Sequence, residues 1–482
     1  MVYDVIVIGA GVVGCATAME LGRLDVKAAV LERDDDVCTG ASKANSAIVH
    51  AGFDPVPGTL MAKYNVLGSR KMRALCRELD VPFNMCGSLV LCFDREDMPR
   101  LQALLDRGVT NGVEGLRIVE GEELRALEPN VSPEAVAALW APTSAILCPF
   151  ELTAAMAENA ARNGVAFFFN SGVTGIERRE DRWVLTTPAG VFEARAVVNA
   201  AGICSDELHN AVGGAPLTIR GRRGEYCLLD RKVGSLVRTT IFQLPGRLGK
   251  GVLVSPTVHG NIIVGPTADD VDDKRATETT AKGISSLLSA ARRSVPSLPR
   301  GKTVTSFAGL RAHLVREEHD FVLGPVDGAP GFFDAVGIES PGLTAAPALG
   351  EYLAGLCGNY LNAAPRGDYR PGRDRVVRLR EMSFEERAAL VAENPAYGQI
   401  VCRCEGVTEG EIVDAIRRSP GARSVDGVKR RTRAGMGRCQ GGFCLPRVLE
   451  ILSRELGVPM TELTKDGGAP LLTGSLREEG EA

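Results

Sequence analysis

The chain is 482 residues long, with 56 Lys and Arg against 60 Asp and Glu and a formal net charge of −4, a balance that offers nucleic acid no basic face. A composition of 45% hydrophobic and 24% charged residues excludes global disorder, and no run of about 18 apolar residues is present to span a membrane. Thirteen Cys is too sparse for a disulfide scaffold and points to a reducing, cytoplasmic-type compartment.

At about 150 residues per domain, the length suggests roughly three domains. The opening, MVYDVIVIGAG, has no basic flank before its apolar run and reads as a strand, so a secretory signal is not expected. Val5 to Ile8 is an unbroken apolar strand, as both-faces burial requires. Gly9, Gly11 and Gly14 follow as G-x-G-x-x-G. A helix to about Leu24 comes next, then a strand from Ala28 to Leu31 ending at Glu32 and Arg33. Gly9 makes the tight turn, Gly11 lets the backbone approach a pyrophosphate, and Gly14 lets helix and strand pack. Glu32, 18 positions after the third glycine, accepts from ribose hydroxyls and disfavours a 2′-phosphate, leaving FAD or NAD.

Further along, Asp97 to Arg107 predicts a helix capped by Asp97, and Pro133 to Leu139 a shorter one. Phe150 to Asn163 is an amphipathic helix, and Val191 to Asn199 a strand that runs into Ala200-Ala201-Gly202. Residues 217 to 270 alternate as strands, with a turn at His259-Gly260-Asn261. Thr277 to Arg293 predicts a helix, strands return from 301, and Gly342 opens another helix. Residues 365 to 376 are rich in Pro, Gly and Arg and read as linker, and the last dozen as a frayed tail. Nine cysteines stand singly and read as small core hydrophobes. Cys402 and Cys404 form C-x-C, and Cys439 and Cys444 form C-x4-C after 34 intervening residues. A module of about 60 residues built around them is too small for much core and suits a metal staple.

Three segments resemble the D-amino-acid-oxidase-like FAD dehydrogenases: Gly40-Ala41-Ser42 with Asn45 to Gly52, the strand Val197 to Gly202, and GIESPGLTAAPALG at 337–350. The resemblance implies an α/β fold, a doubly wound FAD-binding domain interrupted by a mixed-sheet substrate domain. It places the FAD domain at 1–80, 145–215 and 305–363 and the substrate domain at 81–144 and 216–304. The nearest members resemble glycerol-3-phosphate dehydrogenase and L-2-hydroxyglutarate dehydrogenase, the latter through Arg223 to Tyr226 and Gly265-Pro266-Thr267. It further implies FAD contacts at Ser42, Asn45, Ser46, Val173, Gly202, Gly337, Gly342, Leu343 and Thr344, beside Glu32 and Arg33. For Ser42 and Asn45 the cofactor role is the first reading, with stabilising their own turn as the alternative. The N–H groups of Gly342 to Thr344, opening a helix, suit negative charge on a reduced flavin.

Oxidising a secondary alcohol needs a base as well as the flavin. His50, in the flavin-side turn, is the leading base, with a turn-fixing role as the alternative. His259 reads as a loop-orienting residue, and His209, His313 and His319 as solvated. Arg311 matches the family's anion-binding arginine, with a structural ion pair as the alternative and Arg222 and Arg223 as weaker candidates.

Residues 396–456 resemble the bacterioferritin-associated-ferredoxin-like (BFD-like) [2Fe–2S] domain, after a linker at 364–395 and before a tail at 457–482. That implies a small helical module whose cluster ligands are Cys402, Cys404, Cys439 and Cys444, with a zinc site as the alternative. Lys429, Arg430, Arg431, Arg433 and Arg438 read as compensating cluster charge. Thr408 and Glu411 form a capping box, and Pro446 starts the last helix.

The expectation is a cytoplasmic FAD dehydrogenase carrying a [2Fe–2S] cluster and acting on a small anionic alcohol. Glycerol 3-phosphate is the first substrate and L-2-hydroxyglutarate the alternative. Electrons pass to a partner subunit or a quinone, with membrane contact only through such a partner and no nucleic acid involved. An electron-relay subunit without its own substrate is the reading from a different class.

Overall fold

The computed structural model describes residues 1–245, 251–299 and 301–474. Its first sheet grows around Val2–Ile8, where Val5, Ile6 and Val7 are fully buried because both faces are covered. Ala28–Leu31 and Gly190–Asn199 flank that strand in parallel, with Val5 opposite Ala28 on one side and Ala196 on the other. Ala166–Phe168 and Ala329–Val336 extend the parallel core outward, and Gly175–Arg179 and Arg182–Thr187 add an antiparallel meander. The helices Val12–Leu21, Pro149–Arg162 and Gly342–Leu361 build the main core against one face. They approach closely: a Cβ on Gly350 would lie 2.5 Å from the backbone of Ala16.

The second sheet has nine strands drawn from 88–141 and 219–314. Its spine is the antiparallel pair Ile219–Leu229 and Thr303–Leu314, joined from Leu229 opposite Thr303 to Ile219 opposite Leu314. That ladder corrects one expectation. A domain boundary at 305 would cut a strand that pairs along its whole length within the second sheet.

Pro133 to Leu139 is a second correction. It is not helical: Ala137–Ala141 is a strand between Ser88–Cys92 and Arg117–Glu120. Small, apolar residues buried on both sides satisfy a central strand as well as a helix, and sheet pairing decides between them. Asp97 precedes the helix Met98–Thr110 without a side-chain capping bond, whereas Thr280 does cap Ala281–Ser294.

The C-terminal module packs three helices, Glu409–Arg417, Val425–Thr432 and Leu445–Leu456, around Ile412, Val428, Ile451 and Leu452. The Thr408–Glu411 capping box is present, and Pro446 lies in the first turn of the last helix, directly after Cys444. The segment read as linker is bolted down. Arg366 donates to the carbonyls of Leu24 and Val26, Arg373 to Leu79 and Asp80, and a capped helix spans Phe384–Glu393. The start of the expected tail is also ordered, since Leu463 is buried and the N–H groups of Val425 and Asp426 donate to Thr464 and Lys465. Residues 475–482 lie outside the described residues.

Candidate functional site

The glycine loop fits a dinucleotide. Gly9 has φ +100°, and a Cβ there would lie 2.5 Å from the carbonyl oxygen of Ala200; one on Gly14 would lie 1.9 Å from that of Gly9. The first helix starts at Val12, so its first-turn N–H groups face outward without intrahelical acceptors. Glu32 is buried and accepts from the N–H groups of Ala10 (2.6 Å) and Asp34 (2.9 Å), which ties the second strand's end to the loop. Burial pushes its carboxyl above the ordinary value, against those two bonds. Arg33 pairs with Asp34 at 3.2 Å, and Val173 packs against the outer face of the first sheet. Gly202 (φ +58°) and Gly337 (φ +70°) make the turns that follow their strands. Replacing Gly11 by Val will abolish flavin retention: even its Cβ lies 3.2 Å from Ser42 Oγ, and the branch fills the backbone's path to the pyrophosphate. The ratio of visible to protein absorbance in the purified variant checks this.

The turn over residues 40–52 divides its labour. Ser42 Oγ accepts from Val12 N–H at 2.9 Å, so Ser42 caps the dinucleotide helix while its own O–H remains to donate. The Asn45 amide donates to the carbonyls of Ala41 and Ser42, and its oxygen accepts from Ala47 N–H. These bonds put Asn45 on the turn-building side of its two readings. Ser46 donates to the Tyr226 hydroxyl at 3.4 Å, which links the turn to the second sheet.

His50 is held from both sides of its backbone, donating to Thr344 Oγ1 (3.0 Å) and accepting from Asn65 (2.7 Å). Its ring lies 5.9 Å from that of Phe242. Thr344 also donates to the Ile48 carbonyl at 3.3 Å, so the helix opened by Gly342 and Leu343 is fixed against the same turn. Asn65 and Phe242 escaped the sequence reading: one is a polar residue in a helix and the other a strand aromatic, and neither carries a motif.

Arg311 donates to the Thr267 carbonyl at 2.7 Å, its Nε is buried without a partner, and it forms no ion pair among the described residues. Its strand neighbours are spoken for. Arg222 is bidentate on Asp270 (2.7 and 3.2 Å), and Arg223 pairs with Glu278. Of the three arginines, Arg311 alone forms no ion pair among the described residues. Of the histidines expected to be solvated, His319 is exposed, but His209 is buried between Asp334 and the Ala215 carbonyl and His313 bonds Glu339 at 2.8 Å.

The four motif cysteines converge as two pairs. Cys404 and Cys439 lie 3.7 Å apart, and Cys402 bonds Cys444. That bond holds the Cys402 thiol below its ordinary value. Two thiol pairs suit the two irons of a [2Fe–2S] core, each iron taking two cysteine ligands. Cys439→Ser will remove iron and labile sulfide yet leave bleaching of the flavin by substrate intact; metal and sulfide analysis beside anaerobic absorbance checks both.

The basic run is engaged by carboxylates, while Arg438, directly before Cys439, also bears on the Cys404 thiol. Arg430 and Arg431 bond Asp36 of the first domain at 3.0 and 2.6 Å. Arg433 bonds Glu405, which also takes Arg231, and Arg438 bonds Asp230 at the end of the second sheet's spine. Lys429 lies 3.6 Å from Asp426. A second layer joins Glu151 to Arg378 (2.7 Å) and His259 (3.4 Å). Burial opposes the Glu151 charge, but His259 and Arg378 hold its carboxyl at about 2. Arg430, Arg431 and Arg438 clamp the module to the first domain and to the end of the second sheet's spine, while Lys429 and Arg433 pair within it.

A nucleotide loop, a flavin-side turn and two thiol pairs on this fold define a flavin oxidoreductase with an iron–sulfur module. The chain belongs to the FAD dependent oxidoreductase family, whose model matches residues 4–356, and a BFD-like [2Fe-2S] binding domain matches 400–454. It is 47% identical over 479 residues to a glycerol 3-phosphate dehydrogenase of Caloramator mitchellensis, covering 99% of each chain. An L-2-hydroxyglutarate dehydrogenase of Escherichia coli K12 is 30% identical over 272 residues, 55% of this chain and 64% of that one. The reduced, FAD-bound L-alpha-glycerophosphate oxidase of Mycoplasma pneumoniae superposes with a TM-score of 0.72 at 32% identity, over 77% of this chain and 97% of that one.

Proposed function

We propose that the chain oxidises sn-glycerol 3-phosphate to dihydroxyacetone phosphate and delivers the electrons singly to a partner. The observation that carries this is Arg311, which forms no ion pair among the described residues while Arg222 and Arg223 on the facing strand are paired with acids. Likeness along 99% of a glycerol 3-phosphate dehydrogenase, cluster module included, supports the same substrate over a 2-hydroxy acid. The L-2-hydroxyglutarate relative matches only 55% of the chain.

Arg311 holds the phosphate and fixes the carbinol carbon over the flavin-side turn. A ring nitrogen of His50 takes the hydroxyl proton as the C–O bond becomes a carbonyl. FAD, when bound at the glycine loop, supplies the acceptor for the hydrogen and electron pair leaving carbon. Cys402, Cys404, Cys439 and Cys444 would hold a [2Fe–2S] cluster, which would supply one-electron transfer towards the partner. Among the described residues no helix is long and apolar enough to cross a membrane, which supports a chain that meets any membrane through its partner.

An anaerobic panel of polyol phosphates and 2-hydroxy acids, read by bleaching of the flavin's visible band, tests the reading. Glycerol 3-phosphate will bleach the flavin. Bleaching by 2-hydroxyglutarate with glycerol 3-phosphate inert would reverse the substrate assignment, and bleaching by neither would favour an electron relay.

A further inference from the structure

We propose that the rim of the module around Phe443, Ile400 and Arg403 is the docking face for an acidic one-electron carrier protein, an inference that rests on the electron-transfer reading above. Scattered exposed apolar residues are ordinary on a surface. Here their placement is not ordinary. Among the described residues the three large apolar side chains most open to solvent are Phe443 (87%), Phe384 (81%) and Ile400 (63%), all in the module or the helix leading into it.

Phe443 belongs to the thiol shell itself. Its backbone N–H donates to the Cys439 sulfur, it directly precedes Cys444, and its ring projects into solvent. Ile400 opens the short strand that ends at Cys402, and Cys404 is exposed on the same shell. Ile400 and Phe443 border one surface cavity of about 380 Å³, shared with Arg403 and Arg447. A carrier seated there lies against the strand that ends at Cys402 and the residue that precedes Cys444.

Charge selects the carrier. Arg403 is exposed and forms no ion pair among the described residues, whereas Arg447 is neutralised by Glu409 and Glu450. An acidic residue on the partner completes Arg403, and an apolar patch covers Phe443, the usual division between rim and centre of an interface. A quinone would need a continuous apolar channel, and this rim interleaves apolar side chains with cations. One electron passes from the reduced module to the oxidised carrier, and no bond or proton moves.

The test uses the full-length holoprotein and two probes, plastocyanin (acidic, one-electron) and cytochrome c (basic, one-electron). Calorimetric titration of oxidised protein with oxidised plastocyanin measures docking without turnover. Mixing with dithionite-reduced protein measures transfer without substrate, so failure of the substrate assignment leaves the result intact. Plastocyanin will bind in a salt-sensitive manner. Phe443→Ser and Arg403→Glu will each weaken binding tenfold or more and slow its reduction, with unchanged iron and sulfide. The proposal is overturned if wild type does not bind plastocyanin, if both variants match wild type, or if cytochrome c is the carrier they lose. It is equally overturned if Phe443→Ser merely dissociates a homodimer in sedimentation, or impairs decylubiquinone reduction in place of the protein carrier's.

Discussion

His50→Gln will lower kcat by about 10²-fold or more while leaving KM for glycerol 3-phosphate nearly unchanged, because the amide keeps the polar volume but takes no proton. The backbone of His50 is fixed by Thr344 and Asn65, neither of which the substitution touches, so the turn persists. Arg311→Lys will do the reverse. The charge remains and the planar fork is lost, which raises KM about tenfold for a contact worth ~1.4 kcal/mol and leaves kcat within a small factor. Steady-state kinetics of both variants with both candidate substrates separates the roles. Equal losses in kcat and KM for His50→Gln would return that residue to a purely structural role in the turn. Wild-type behaviour of Arg311→Lys would move the anion clamp elsewhere, although Arg222 and Arg223 are already paired with acids.

The parts of the molecule legible in the sequence are those where chemistry allows few residue types. Gly9 and Gly14 stand where any Cβ would strike a backbone carbonyl, so only glycine satisfies the loop and the motif announces itself. Four cysteines at C-x-C and C-x4-C announce a metal module for the same reason. Thr408 and Glu411 announce a helix start. Asn45 shows the limit of such reading: its residue type suits both a cofactor contact and a turn, and only the bonds to Ala41, Ser42 and Ala47 show the turn being built.

Less legible were features that depend on partners far away in sequence. Pro133 to Leu139 is small and apolar and carries no period of its own; the strands on either side of Ala137–Ala141 decide its state. The strand Thr303–Leu314 belongs to the second sheet because of its partner some 80 residues earlier, a fact no local signal records. The basic run from Lys429 to Arg438 was visible as charge, but its acids sit at Asp36, Asp230 and Glu405. In one sequence, nothing marks the Asp run after Glu32 as the counterpart of a basic helix near the other end.

That clamp gives the second large effect. Asp36→Asn will release the module from the first domain and cost about 3–5 kcal/mol of docking, because it strands two buried cations rather than deleting a contact. Asp36, Arg430 and Arg431 have side chains only 1%, 6% and 5% exposed, so water cannot replace the lost charge. Arg431 retains its bonds to the carbonyls of Gly427 and Pro420, which are neutral acceptors. Burial works against the Asp36 charge, but Arg431 first and then Arg430 hold its carboxyl below the ordinary value. The stabilisation is therefore complete above an unfolded-state pKa of about 3.9 and is lost as pH falls through the lower folded value. Flavin bleaching by substrate will survive in Asp36→Asn, since the glycine loop and His50 are untouched, while electron delivery to an external one-electron acceptor fails. Small-angle scattering will show an enlarged radius of gyration, and proteolysis will open sites near 364–395. Adding Arg430→Met and Arg431→Met to Asp36→Asn will restore docking in part, because an apolar replacement removes the stranded charges; a triple variant as loosely docked as the single one would show that the pair's geometry, not its charge balance, holds the module.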